Sequence, residues 1–453
     1  MKLRDYQVKM VNGVVDSLNR GRKPFVVSPT GSGKMVVIAY IAKHLNRKVL
    51  IVEHRSELVE QALEKLHEIG EKPGIIASGV RDPYPNAKIK VGMIQTMNRR
   101  VGKSDWAPDV LIFDEAHLSA AESYNILIKQ YPKAIIVGFS ATPDRLDGRG
   151  FQMFDEFVFG PTIKSLTAMG HLVPIDYRDF DVADLRGLRT KGTDWDQDHV
   201  AEILSGATEE IVDTWCSDFS DRPTVVFAAN TKQSKKVCEE FKRRGVAAEH
   251  IDGTTNDSVR KSIMHRVKTG KTRVLVNCGI VIEGFDAPLI SCVMLLIATK
   301  SLAKYLQCIG RGTRPAPATG KTDLIVADFG KCCDTHGYPD QERVWSLDGK
   351  SKGKREYVET EEDVARAANK EKYEIGKHDY GVDESVVVDK KSSLQRLQSP
   401  IKTTNYPSYL PVSWHGYWDE LEAFRKERGL PRSFSEGVVK AEIDKAIASL
   451  VLK

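Results

Sequence analysis

Cysteine is scarce in this sequence: seven residues in 453, an odd number scattered without a framework. That excludes a disulfide scaffold and points to a reducing compartment, the cytoplasm, or a host's cytoplasm were the chain viral. Long hydrophobic runs are missing too. The most apolar stretch, Cys292–Ala298, falls far short of the ~18 residues a membrane span needs, so no membrane partner is expected. Met1–Gln7 lacks the apolar core of a signal peptide. Glycine (34) and proline (19) are too few for collagen-like or low-complexity sequence. A strong charge of one sign is also absent. The net charge is +5, with 24 Lys/Arg against 18 Asp/Glu in residues 1–165, 24 against 25 in 166–345 and 19 against 19 thereafter. The excess in the first third is compatible with a nucleic-acid partner without demanding one.

What remains is an ordinary globular composition, 41% hydrophobic and 28% charged, long enough for about three domains of ~150 residues. In the first 165 residues, strand-like runs (Phe25–Ser28, Val49–Val52, Lys90–Ile94, Val110–Phe113, Ala134–Phe139) alternate with helical patterns such as Ser56–His67. The alternation predicts a parallel sheet covered on both faces. Residues 166–205 are polar and acidic and read as a linker. A second alternation over 206–345 includes Thr224–Ala228, Arg273–Val276, Cys292–Leu296 and Asp323–Ala327. Residues 346–395 read as a charged linker and 396–453 as a small accessory domain. The expected fold is therefore α/β, two parallel-sheet domains plus a small C-terminal domain.

Ser28-Pro29-Thr30-Gly31-Ser32-Gly33-Lys34 follows a predicted strand and precedes a helix. In that context the glycines let backbone N–H groups converge on phosphates, and Lys34 and the helix dipole add positive charge. The next residue is Met35, where such loops carry a Mg²⁺-ligating Ser or Thr. A thioether is a poor ligand for a hard cation. Either water fills that position or the chain is a weakened ATPase. Asp114-Glu115-Ala-His117 ends a buried strand, the place for Asp114 to hold Mg²⁺ through water and Glu115 to orient and deprotonate an attacking water. Ser140-Ala-Thr142 ends another strand. Gln307-Cys-Ile-Gly-Arg311-Gly-Thr-Arg314 sets two arginines three apart, on one helical face if the helix continues, suited to clamp a γ-phosphate from a second domain.

In this order the elements resemble the superfamily 2 helicases, DEAH-type, over residues 1–345. Gly138–Gly148 and Glu283–Pro288 are similar to the XPB-like branch, which includes phage recombination helicases. The resemblance implies two RecA-like domains binding ATP and Mg²⁺ in their cleft. It assigns adenine contact to Gln7 with Arg4 in support, ribose contact to Asp286, and nucleic-acid backbone contact to Arg55, Gln95 and Thr96. Coupling falls to His117, Ser140 and Thr142, with Gln307, Arg311 and Arg314 joining Lys34, Asp114 and Glu115 in catalysis. The implied function is an ATP-dependent DNA helicase or translocase that unwinds or branch-migrates forked or four-way DNA, working with recombination or replication proteins. A duplex translocase, an ATPase-weak binding module and an RNA helicase are the alternatives.

Cys332-Cys333-Asp-Thr-His336 lacks zinc-ligand spacing, and Cys278, Cys292 and Cys308, in predicted strand or helix, read as core. The aromatics of the last 55 residues (Tyr406, Tyr409, Trp414, Tyr417, Trp418, Phe424) fit either a small core or a base-stacking surface.

Overall fold

The computed structural model describes residues 2–99, 106–119, 122–280 and 287–349, all within one compact unit spanning residues 1–376. Most of the 346–395 linker and the whole of 396–453 lie outside the described residues, as does Asp286. The first sheet is built from β1 (Pro24–Val27), β2 (Val49–Glu53), β3 (Gly74–Ile76), β4 (Ile89–Met93), β5 (Val110–Phe113), β6 (Ile135–Ser140) and β7 (Glu156–Phe159). Its order is β3-β4-β2-β5-β6-β1-β7, every neighbouring pair parallel. Every residue of β1, β2 and β5 is buried, which is why these strands are unbroken apolar runs rather than alternating ones.

The second sheet takes β8 (Ile175–Asp179), then, after a short hairpin of β9 (Thr190–Lys191) and β10 (Asp194–Trp195), β11 (Thr224–Ala228), β12 (Ala248–Ile251), β13 (Val274–Asn277), β14 (Cys292–Leu296) and β15 (Leu324–Asp328). Its order is β12-β13-β11-β14-β15-β8, again all parallel. These are the two parallel-sheet α/β domains expected from the alternation.

Besides the hairpin strands β9 and β10, four strands of the two large sheets escape a pattern reading: β3, β7, β8 and β12. All are sheet edges, short or half-buried, so none carries the apolar run that betrays a central strand. The consequence is largest for residues 166–205. That polar stretch is more than a linker, because it supplies the edge strand β8 and the helix Gln197–Gly206. Tyr177 of β8 donates its hydroxyl to the buried Asp328 carboxylate at 2.6 Å, tying the edge to β15.

No helix among the described residues is long and apolar enough to cross a membrane. Cys332 donates its thiol to the Ile297 carbonyl, and the His336 ring meets the Thr299 carbonyl at 2.7 Å while stacking on Tyr305. These side chains brace the second core.

Candidate active site between the two sheets

The phosphate loop connects β1 to the helix Lys34–His44. Gly31 and Gly33 adopt φ of +87° and +81°, a left-handed backbone that a side chain would strain. Ser28 Oγ donates to Ser32 Oγ, which donates to the Pro29 carbonyl, both at 2.7 Å. The helix Asp5–Asn19 clamps the loop from outside: Tyr6 Oη and Gln7 Nε2 both donate to the Ser32 carbonyl, at 2.9 and 3.2 Å. Gln7 Oε1 accepts from the Arg4 N–H at 3.0 Å, and the Arg4 guanidinium reaches Tyr6 Oη at 3.1 Å. Arg4 and Gln7 thus lie at the loop, with Gln7 buried and acting on its backbone. Sequence reasoning missed Tyr6, whose role depends on a contact 26 residues away.

Lys34 Nζ donates to the Ser28 carbonyl at 3.4 Å. Its charge also acts on the buried carboxylates at the end of β5. Burial and then the Glu115 charge push the Asp114 carboxyl up to about 6, against the pull of Lys34. Burial would raise Glu115 as well, but Lys34 and His117 outweigh it and hold that carboxyl low. One site therefore holds a carboxylate kept ionised beside another inclined to keep its proton. A hard cation fits there, since it would relieve the like-charge repulsion of the buried pair. Asp114 would offer it a carboxylate oxygen at the end of β5. Met35 contributes no oxygen and packs against the first core. Glu115 has φ +48° and ψ +48°, a strained backbone at the residue that would face the attacking water.

From this pair a short hydrogen-bonded chain leads to the end of β6. His117 Nδ1 lies 3.3 Å from Glu115 Oε2 and 3.0 Å from Ser140 Oγ. Ser140 Oγ in turn donates to the Thr142 carbonyl at 3.1 Å and accepts from its N–H at 3.0 Å. The structure brings all three proposed coupling residues into one line.

The second domain closes the site. Gln307 is buried on the helix Leu302–Gly310, which stops before the arginines: Arg311 is its C-cap and Arg314 lies beyond a turn. The two arginines therefore do not share a helical face. The close packing here requires glycine, since a Cβ on Gly310 or Gly312 would overlap Thr30 or Leu324. The turn delivers Arg314 to the phosphate loop: a Cβ built on Gly31 would lie 3.5 Å from Thr313 Oγ1 and 3.8 Å from Arg314 Cγ. Leu172, from the stretch between the sheets, covers the same glycine. A cavity of about 260 Å³ adjoins this contact, between Pro29 and Thr30 on one side and Leu306, Ile309 and Gly310 on the other.

Arg55 and Gln95 follow the C-terminal ends of β2 and β4, away from Lys34 in the sheet order. Gln95 is exposed and donates to the His54 carbonyl at 3.3 Å. Thr96 is buried in the helix Ile94–Arg99, whereas Arg55 is half-buried and Gln95 exposed. Nearby, Glu57 forms an ion pair of 3.4 Å with Arg260 of the second domain, a link no local pattern announces.

Residues 1–145 match the family model "Type III restriction enzyme, res subunit", and residues 207–316 match "Helicase conserved C-terminal domain". A Saccharomyces cerevisiae protein named as an inferred ATP-dependent helicase, IRC3, is 30% identical over 339 residues, 69% of this chain and 49% of the yeast protein. The chain thus spans about half the length of that relative. A 51.5 kDa protein of a Lactococcus phage is 28% identical over 74% of this chain and 73% of its own. The DNA 3'-5' translocase XPB2 of Sulfurisphaera tokodaii is 22% identical over 69% and 78%. In fold, the chain is similar to a fragment assigned as the HsdR subunit of a type I restriction enzyme from Vibrio vulnificus. Their TM-score is 0.60 at 19% identity, covering 77% of this chain and 67% of that one.

Proposed function

The chain belongs to the superfamily 2 helicases, and from that premise we propose that it is an ATP-driven motor on DNA, unwinding or branch-migrating forked or four-way substrates. The observation that carries this reading is the seating of Thr313 and Arg314 against Gly31. Residues of the second domain meet the loop that would cradle phosphates, so nucleotide bound there touches both domains. Binding then favours the closed cleft and hydrolysis releases it.

Within the cleft each residue has a definable task. The loop N–H groups and Lys34 take the phosphate charge, and Arg314, with Arg311 and Gln307 on the same segment, adds positive charge and alignment from the other side. Bound Mg²⁺ would neutralise phosphate charge, held by Asp114 through water. Glu115, ionised in the resting protein, orients the attacking water and takes its proton. The line Glu115–His117–Ser140–Thr142 then passes the state of the site to the segment after β6. Arg55 and Gln95 are suited to grip a strand through its phosphates, which gives little sequence preference. The XPB-like branch and DEAH-type assignment, and DNA rather than RNA, rest on the motif resemblance and on relatives such as the DNA translocase XPB2.

The test is ATP turnover with single-stranded, duplex, forked and four-way DNA and with RNA, paired with strand displacement. Stimulation by forked and four-way DNA with displacement is expected. Equal rates on all DNA forms would remove the branched-substrate reading, and turnover without displacement would identify a duplex translocase. Preference for RNA would move the chain to the RNA helicases. Met35, packed on the core, supports a second reading of weak hydrolysis; undetectable turnover on every nucleic acid would favour it.

A further inference from the structure

The chain passes between the two sheets twice. The forward crossing leaves Phe159 at the end of β7 and reaches Ile175 at the start of β8, each the edge strand of its sheet. The return crossing follows the helix Cys332–His336 and runs over residues 343–349, with a turn at Leu347 and Asp348. Arg343, Trp345, Leu347 and Gly349 are half-buried there, while Val344, Ser346 and Asp348 are exposed. Trp345 packs against the core of the second sheet, and Leu347 packs against that of the first. Only Ser346 separates these anchors, and two extended residues span about 7 Å.

Both ends of this crossing are fixed by more than packing. On the second domain, Tyr305 Oη donates to the Gly337 carbonyl at 3.1 Å and Arg343 donates to the Tyr338 carbonyl at 3.0 Å. On the first, the Leu347 carbonyl accepts from the Phe151 N–H at 2.7 Å, and Gly349 bridges antiparallel to Arg149. Gly150 lies so close that a Cβ there would overlap the Leu347 carbonyl and the Asp348 backbone. The contacted loop, 148–151, comes six residues after Thr142. Between the crossings lies the 260 Å³ cavity, walled by Phe159 and Ile163 of the forward one and Gln341 and Trp345 of the return one.

We propose that residues 343–349 are a strap which, with the forward crossing, confines opening of the cleft to a hinge rotation at the two crossings. This rests on the two-domain motor reading. With one residue between its anchors the strap has no slack. Sliding or wide separation of the domains would unseat Leu347 or Trp345, whereas rotation about an axis through the two crossings strains neither. The cavity between the crossings gives the side chains room to shift as the cleft turns. The strap also ties the return segment to the loop downstream of Ser140 and Thr142, so the coupling residues and the hinge share one piece of backbone.

The experiment is a distance distribution between spin labels at Glu64 and Lys271, both exposed and on opposite domains, in the full chain without nucleotide. Leu347→Asp unseats one anchor, Gly150→Ala pushes the strap off its loop, and Leu347→Met conserves the anchor. A single narrow distribution is expected for the wild type and Leu347→Met. Broadening is expected for the other two, with nucleic-acid stimulation of ATP turnover reduced about threefold. Melting temperature and far-UV circular dichroism verify that each variant is folded. Narrow distributions in both disruptive variants, or broad ones already in the wild type, would overturn the hinge. The distance readout requires no turnover, so a chain that proved not to be an ATPase would still decide it.

Discussion

Gly310 stands directly against Thr30: a Cβ built on the glycine would fall 2.6 Å from the threonine Cβ and 2.8 Å from its Cγ2. The helix that carries Gln307 thus ends on the phosphate loop, with clearance only for hydrogen. Gly310→Val should hold the domains apart and displace Arg314 from the phosphates. Displacement of about 1 Å costs on the order of a hundredfold in rate, so kcat for ATP should fall by about ten- to a hundredfold. Retained binding of fluorescent nucleotide would show the loop intact. Wild-type turnover would mean that catalysis does not use this closed contact.

Ser140 offers a different separation of effects. Its hydroxyl joins His117 to the Thr142 backbone. Ser140→Ala removes that junction and leaves the contact between His117 Nδ1 and Glu115 in place. ATP turnover should stay within a fewfold of the wild type while strand displacement per ATP drops at least about tenfold. Parallel loss of both activities would mean that this line serves hydrolysis itself rather than its transmission.

Much of this arrangement was legible in the chain because its main determinants are local. Central strands such as Val110–Phe113 are buried on both faces and so appear as uninterrupted apolar runs. The glycines of 31–33 and the carboxylates of 114–115 announce themselves by type and spacing. What could not be read are relationships across the chain. Tyr6 and Gln7 act on Ser32, Leu172 covers Gly31, and Arg260 pairs with Glu57, each through topology rather than sequence proximity. The arginine pair misled for a related reason. The spacing gave one helical face only if the helix continued, and it ends at Gly310, on the phosphate loop of the other domain.

Asp114 should be a stability cost that function retains. Its folded pKa of about 6 lies above the unfolded value of 3.8, so its protonated form is favoured by folding. As pH rises from about 4 to 6 the unfolded chain releases this proton first, and stability falls by an amount on the order of 2 kcal/mol. Glu115, held low, contributes in the opposite sense: stability present above its ordinary range and lost in strong acid. Asp114→Asn should therefore raise the melting temperature by a few degrees at pH 7.5 and much less at pH 4, while abolishing hydrolysis. Wild-type turnover should also decline as pH falls through about 6, as Asp114 takes up its proton. A lower melting temperature for the variant at pH 7.5 would contradict the raised carboxyl.

Met35 sets two requirements of the same position against each other. Its half-buried thioether packs on the first core, whereas a hydroxyl there would offer oxygen to Mg²⁺. Met35→Thr exchanges apolar packing for a ligand. The loss of packing should cost about 1–2 kcal/mol of stability, because a partly buried side chain shrinks and the neighbouring core relaxes incompletely. The gain should appear in the metal titration: the Mg²⁺ concentration giving half-maximal turnover falls several-fold, with kcat equal or higher. That pairing, a less stable protein with tighter metal use, separates ligand gain from general disturbance, since disturbance alone would weaken both. An unchanged metal titration with the expected loss of stability would show that water already completes the shell, and that packing alone accounts for methionine at this position.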